Sequence, residues 1–369
     1  MGPLTAGSVT LGRQANGCLR VALTVDPFLP VPPEHYGGIE RIVDFLVRGL
    51  VERGHSVTLY AHPDSRTAGV HKPYGAGTHA GVWPRFRELW QLGSKLWMDR
   101  EEFDLIHSFG RLAALLPVLP DRRLVKIQSY QREVPWPGVQ KAVRIAGSSI
   151  RFTACSSAMY RGLAGYGASR GTWRTVFNGV DLSKYDFVPK GGQDAPLAFL
   201  GRLERIKGAH NAIAIARAAN RRLILAGNRV PSSDEYYERE IAPCLDGDRI
   251  LYVGPVDDKA KNAMLGSCAA LLMPIEWEEP FGIVMAEALA CGTPVIGFSR
   301  GSVPEVIREG VNGYLCSDVA EAAAAVDRLD RLNRADVRKD CEARFSSGVI
   351  VSEYELLYRE ALSVSRRTN

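Results

Sequence analysis

Twice in this chain an apolar run, a loop, an amphipathic helix and a second apolar run follow one another, and that repeat limits the fold more than any other feature. In the first copy Leu19 to Val25 reads as a buried strand. A proline-rich loop from Pro27 to Pro33 leads through His35, Tyr36, Gly37 and Gly38 into a helix whose apolar positions 39, 42, 43, 46, 47 and 50 keep the helical period. Gly54 ends that helix, and His55 to Tyr60 is the next strand. In the second copy Pro196 to Gly201 is the strand, His210 to Ala219 the helix and Arg222 to Gly227 the returning strand. Strands joined through helices pair in parallel and are covered on both faces. The chain is therefore expected to be α/β, with two Rossmann-like domains facing each other across a cleft.

A length of 369 residues leaves room for two such domains. The expected division is a disordered leader over 1–17, a first domain over 18–185, a second over 186–350 and a terminal helical segment over 351–369. By its pattern alone, the helix at roughly 352–364 is equally a surface helix of the second domain or a strap returning to the first. No run is long and apolar enough to span a bilayer, and the start lacks the basic and apolar regions of a signal peptide. The seven cysteines are scattered, odd in number and without a CxxC pair, which argues against a disulfide framework and a zinc site. A cytoplasmic protein is expected.

The chain carries a net charge of +5, divided as +9 over residues 1–185 and −4 over the remainder. A basic first half suits an anionic partner such as a membrane surface, a lipid-linked phosphate or an acidic glycan, or serves solubility alone. Nucleic acid is not an expected partner. Aromatic residues at 83, 86, 90 and 97, with Arg85, Arg87 and Lys95 between them, read as a helix packed into the first core. The competing reading is an interfacial helix resting at the periphery of the inner membrane face.

The strongest chemical signal is Glu279-Pro-Phe-Gly-Ile-Val-Met-Ala-Glu287. Pro280, Phe281 and Gly282 suit an entry loop and Ile283 to Ala290 a helix, so Glu279 lies at the mouth of the helix and Glu287 within it. The preceding run, Ala269 to Ile275, reads as a buried strand, and ligands of open α/β sheets gather at strand carboxyl ends. The free N–H groups of Phe281, Gly282 and Ile283, flanked by two acids, suit a hydroxyl-rich ligand. Arg202 and Lys207 occupy a loop between a strand and a helix, where two cations can neutralise a diphosphate without a metal. Glu204 and Arg205, on that same loop, read as surface residues. Gly37 and Gly38 allow the backbone to come close to a phosphate or sugar. His107 ends the run Phe103-Asp-Leu-Ile-His107-Ser-Phe109 at a strand terminus, and the segment from Ser129 to Glu133 ends another and could bind an acceptor. Asp246-Gly-Asp248 precedes a strand and reads as a turn. No metal or other cofactor is expected.

These residues are similar to the Glu-x7-Glu motif and basic loop of the retaining glycosyltransferases of family 4 (group 1). The resemblance implies the GT-B fold, a strap helix crossing back to the first domain, and transfer of a sugar from a UDP- or GDP-linked donor to an acceptor hydroxyl. It implies that Arg202 and Lys207 hold the departing diphosphate, Glu279 orients the donor sugar and Glu287 binds the ribose, with Gly37, Gly38 and His107 also at the donor. In the family a second histidine stands where this chain has Phe109, so either His107 substitutes for it or the sugar contact is lost. The acceptor remains open: a glycan, a lipid-linked sugar or a small molecule. Alternatives sharing the fold are a sugar-nucleotide epimerase, a phosphorylase and a non-enzymatic nucleotide-sugar-binding protein.

Overall fold

The structure, a computed structural model, describes residues 17–34, 37–75, 82–192 and 194–368. Nearly all of the expected leader, together with His35 and Tyr36, lies outside them. Seven strands form the first sheet: β1 (Arg20–Thr24), β2 (Ser56–Ala61), β3 (Val70–Pro73), β4 (Leu105–Ser108), β5 (Val125–Tyr130), β6 (Ile150–Ala154) and β7 (Thr172–Thr175). Six form the second: β8 (Leu197–Leu200), β9 (Leu223–Ala226), β10 (Ile250–Tyr252), β11 (Ala270–Met273), β12 (Val295–Phe298) and β13 (Gly313–Cys316). Every pairing within the two sheets is parallel. The fold is the α/β arrangement of two Rossmann-like sheets expected from the repeat.

Strand order explains where ligands can sit. The first sheet runs β3-β2-β1-β4-β5-β6-β7 and the second β10-β9-β8-β11-β12-β13. In each, the chain winds one way from its first strand and then the other, so the order reverses between β1 and β4 and between β8 and β11. Loops leaving the two strands at such a reversal part to opposite faces and leave a crevice at their carboxyl ends.

The helices that matter here are α1 (Gly38–Glu52), α2 (Val82–Met98), α3 (Ala209–Ala218), α4 (Asp258–Ser267), α5 (Ile283–Ala290) and α6 (Ser347–Thr368). Helix α1 buries Ile42, Val43, Leu46 and Leu50, the positions its period predicts. Helix α6 starts earlier and ends later than the sequence suggested. It packs on α1, and its Tyr354 and Tyr358 are wholly buried in the core of the first sheet. The two chain crossings between the sheets lie side by side: Val180 donates its N–H to the Phe345 carbonyl, and Ser347 donates to the Val180 carbonyl.

Helix α2 departs from the core reading. Leu92 and Leu96 are its buried apolar side chains among the described residues, whereas Phe86, Trp90 and Met98 are each more than 60% exposed and Trp97 is 43% exposed. At the helical pitch Phe86, Trp90 and Trp97 share an arc of about 40°, turned away from the leucines. The leucines, not the aromatic residues, carry the inner face. The side chain of Trp83 lies outside the described residues.

Candidate active site

Both crevices carry charged side chains. In the second sheet, the loop after β8 and the loop after β11 lie together: Glu276 donates its N–H to the Ile206 carbonyl at 2.9 Å. This brings Lys207 Nζ to 2.6 Å from Glu279 Oε2. Trp277 Nε1 donates to the same oxygen at 2.9 Å, and the Lys207 ammonium lies 4.5 Å from the centre of the Trp277 ring. Glu279 is nearly buried, so its charge is held by an ammonium and an indole N–H with little help from water. Its backbone is clamped from a third loop, where Ser302 donates its N–H to the Glu279 carbonyl at 2.9 Å. Gly301 makes that approach feasible. It has φ +53°, and a Cβ there would fall 2.3 Å from the Glu279 nitrogen.

Arg202 lies on the same loop as Lys207, half exposed, and pairs with Glu204 at 3.0 Å. Glu204 is thus drawn in rather than left on the surface. Arg205 is exposed as expected, bonded to Glu240 and 3.8 Å from Glu276.

Glu287 faces inward from α5 and is buried. Its Oε1 accepts from Tyr185 OH at 2.7 Å and from Lys261 Nζ at 2.5 Å. Burial, reinforced by the Glu287 charge, holds the Tyr185 phenol far above its usual range, so it stays a donor. Lys261 also lies 3.3 Å from Asp258, and Asp258 accepts from Arg41 Nη1 at 2.6 Å. A chain of alternating charges therefore runs from Glu287 across to α1 of the first sheet. The sequence reading missed Tyr185, Lys261, Asp258, Arg41 and Trp277. Trp277 had a local signal, being next but one to Glu279; Asp258 and Lys261 share a helical i,i+3 spacing, but nothing in sequence joins that pair to Glu287, Tyr185 or Arg41.

The N-terminus of α5 begins at Gly282, φ +71°, and the first N–H groups of a helix have no partner within it. Phe281 turns its ring inward against Phe177 and Phe345, leaving only its backbone for a ligand. Gly38 meets this terminus from the opposite domain: a Cβ on Gly38 would fall 3.3 Å from Ile283 Cδ1. Gly37 beside it is crowded by Pro33 and Glu40. Glu279, Glu287, Lys207, Phe281, Gly282, Ile283, Gly37 and Gly38 are thus gathered around one cleft, with Arg202 on the loop that carries Lys207.

His107 does not join them. It has no exposed surface and sits under α6, with Nδ1 2.6 Å from Tyr358 OH and Nε2 2.6 Å from Ser129 Oγ. Burial lowers its pKa to about 3, so the ring is neutral. The Phe109 ring lies tilted against that of His107, with centres 4.3 Å apart, and is itself buried. His107 and Phe109 are packing residues of the first core, because α6, whose position the sequence left undecided, covers this strand end. Asp246 caps its turn, accepting N–H bonds from Asp248, Arg249 and Ile250.

Comparison with known proteins agrees with this geometry. Residues 186–344 match the family model Glycosyl transferases group 1, and residues 36–184 match that of Glycosyltransferase Family 4. Spore coat protein SA of Bacillus subtilis (strain 168) is 24% identical over 368 residues, covering 89% of this chain and 93% of the relative. Among solved structures, AviGT4, a glycosyltransferase involved in avilamycin A biosynthesis, superposes with a TM-score of 0.67 at 25% identity, covering 94% of this chain and 98% of the other. The Anabaena Alr3699/HepE structure in complex with UDP and glucose has a TM-score of 0.70 at 19% identity, over 94% and 99% of the two chains.

Proposed function

The chain belongs to the glycosyl transferases group 1, a GT-B glycosyltransferase, and from that premise we propose that it moves a sugar from a nucleoside diphosphate to an acceptor hydroxyl, with retention of configuration and without a metal ion. The observation that carries this reading is the Lys207 ammonium held 2.6 Å from Glu279 at the mouth of α5, in the crevice between β8 and β11. A positive charge fixed there meets the negative charge that develops on a departing diphosphate, and Arg202 on the same loop adds a second. Contacts that strengthen in the transition state raise the rate, and losing one such donor costs about 10²–10³ in kcat. Glu279 and the N–H groups of Phe281 to Ile283 orient the donor sugar, and Glu287, held by Tyr185 and Lys261, takes the ribose hydroxyls. Departure and attack on the same face, with the diphosphate as base, is the retaining route this set of residues fits. The donor in this reading is UDP- or GDP-linked; Alr3699/HepE, which shares the fold, has been solved with UDP.

The test is thermal stabilisation by UDP-, GDP-, ADP- and TDP-sugars in EDTA, repeated with Lys207→Ala and Glu287→Ala. A shift with one nucleotide, lost in both variants, is expected; a shift that needs added metal or survives both substitutions would sink the reading. Among the described residues no helix is long and apolar enough to cross a membrane. We place the protein in the cytoplasm, resting on the inner membrane face through the outer side of α2, where Phe86, Trp90 and Trp97 stand exposed beside Arg87.

A further inference from the structure

We infer that the crevice of the first sheet, at the carboxyl ends of β1, β4 and β5, is an acceptor site for a hydroxylated anion, a sugar or polyol bearing a phosphate or carboxylate, with Asp26, Glu40 and Gln128 binding hydroxyls and Arg111 and Arg132 binding the charge. This names the acceptor class of the reaction proposed above and rests on that reading.

The site lies where the strand order reverses, as the donor crevice does in the second sheet. Asp26 follows β1, and its Oδ1 accepts the Arg111 N–H from the loop after β4 at 3.1 Å. The same oxygen would be 2.8 Å from a Cβ on Gly110, so the two loops touch. Gln128 of β5 is wholly buried, and its Nε2 donates to the Gly110 carbonyl at 2.8 Å, while its Oε1 is buried without a partner. Ser108 Oγ at the end of β4 and Gln131 Oε1 just past β5 are buried and unpartnered as well. Orphaned polar atoms are costly, and their gathering at adjoining strand ends marks a place for polar ligand atoms.

Arg132 is exposed and makes no hydrogen bond or ion pair of its own among the described residues. Arg111 stacks over Phe28 at 5.1 Å and stands 4.0 Å from Asp26. Both arginines act on Asp26, and Arg132 also on Glu40, yet burial outweighs them and holds both carboxyl groups above their usual range. One buried carboxyl group, that of Glu40, and one partly exposed, that of Asp26, next to an unpaired guanidinium suit a ligand with hydroxyl donors and one negative end. Glu40 lies two residues beyond Gly38, which meets Ile283 of the donor crevice, so a bound hydroxyl and the donor sugar face the same cleft.

The experiment reads acceptor and donor binding separately by calorimetry on the full chain. The probes are glucose 6-phosphate, glucuronate, uncharged glucose, and phosphatidylcholine vesicles with and without phosphatidylinositol phosphate, each with the stabilising nucleotide present. Binding of an anionic probe, at least tenfold tighter than glucose and weakened tenfold or more in Arg132→Ala with nucleotide binding unchanged, is expected. Asp26→Asn should weaken the same probe without touching the nucleotide. Binding in solution assigns a free acceptor, and binding to the phosphoinositide vesicles alone assigns a lipid headgroup. If no anionic probe binds the native chain, or Arg132→Ala binds as well as native, the acceptor site is wrong while the donor site stands; if no nucleotide binds, the underlying reading fails instead.

Discussion

At the scale of single residues, the split between chemistry and packing follows from what surrounds each titratable group. Glu279 and Glu287 are both buried, and each is met by an ammonium and a second donor. His107 is buried with no charge to compensate it, so it becomes neutral and structural. That difference predicts a pH dependence of stability. An unfolded histidine titrates near pH 6.5, whereas folded His107 is lowered to about 3. Between those values the unfolded chain binds a proton that the folded chain refuses, so stability falls as pH drops below 6.5. The slope approaches about 1.4 kcal/mol per pH unit, or roughly 2 kcal/mol by pH 5. Urea unfolding of the native chain and of His107→Gln at pH 7 and pH 5 checks this. Glutamine can still bond Ser129 and Tyr358 but does not titrate, so the variant should lose about 2 kcal/mol less than the native chain over that interval. Equal losses would mean that His107 takes up its proton in the folded state.

At the scale of elements, the central strands and α1, α3 and α5 were legible because each has one dominant period and clear ends. Ile283–Ala290 matches the reading residue for residue. Helix α2 misled because it carries two apolar stripes, and aromatic bulk drew attention from the leucines that pack. Helix α6 was undecided because a helix with apolar residues on one face does not say which of two cores it covers. The exposed stripe on α2 carries its own prediction. Tryptophan at a lipid headgroup boundary buries its ring and keeps its N–H wet, and nearby cations add attraction to anionic lipid. Co-sedimentation with phosphatidylglycerol vesicles should retain the native chain, and the double variant Phe86→Ser, Trp90→Ser should fall to a tenth or less of that binding. Because both side chains point outward, its melting temperature should stay within about 2 °C of native. Undiminished binding would remove α2 from the membrane contact.

At the scale of the whole molecule, the two-sheet plan was readable from the repeat, but the contacts that hold the halves together were not, since they join residues far apart in sequence with no shared motif. Glu305 is the clearest of them. It sits in the short helix Val303–Val306 after β12, where a glutamate in the first turn reads as an ordinary partner for the helix terminus. Instead its carboxylate reaches the loop after β6 in the other half, accepting from Ser157 N and Oγ at 2.9 Å each, Ala158 N at 2.8 Å and Arg161 Nη2 at 3.1 Å. Arg41 to Asp258 and Cys155 Sγ to the Pro280 carbonyl cross the same boundary. The Pro280 contact lies next to Glu279, so the distance between the halves and the setting of the donor crevice are coupled. Removing the Glu305 carboxylate leaves two backbone N–H groups without their acceptor, a cost of about 1–3 kcal/mol borne only by the closed arrangement. Glu305→Ala should therefore populate a more open molecule. In small-angle scattering its radius of gyration should rise, while nucleotide binding, which the function proposed above assigns to the second domain, changes little. Turnover should drop about tenfold or more, because acceptor and donor must be brought together and water shut out for transfer. Glu305→Gln, which still offers an acceptor oxygen, should recover part of the loss. A variant with native scattering and native turnover would show that closure rests on the Arg41 and aromatic contacts instead.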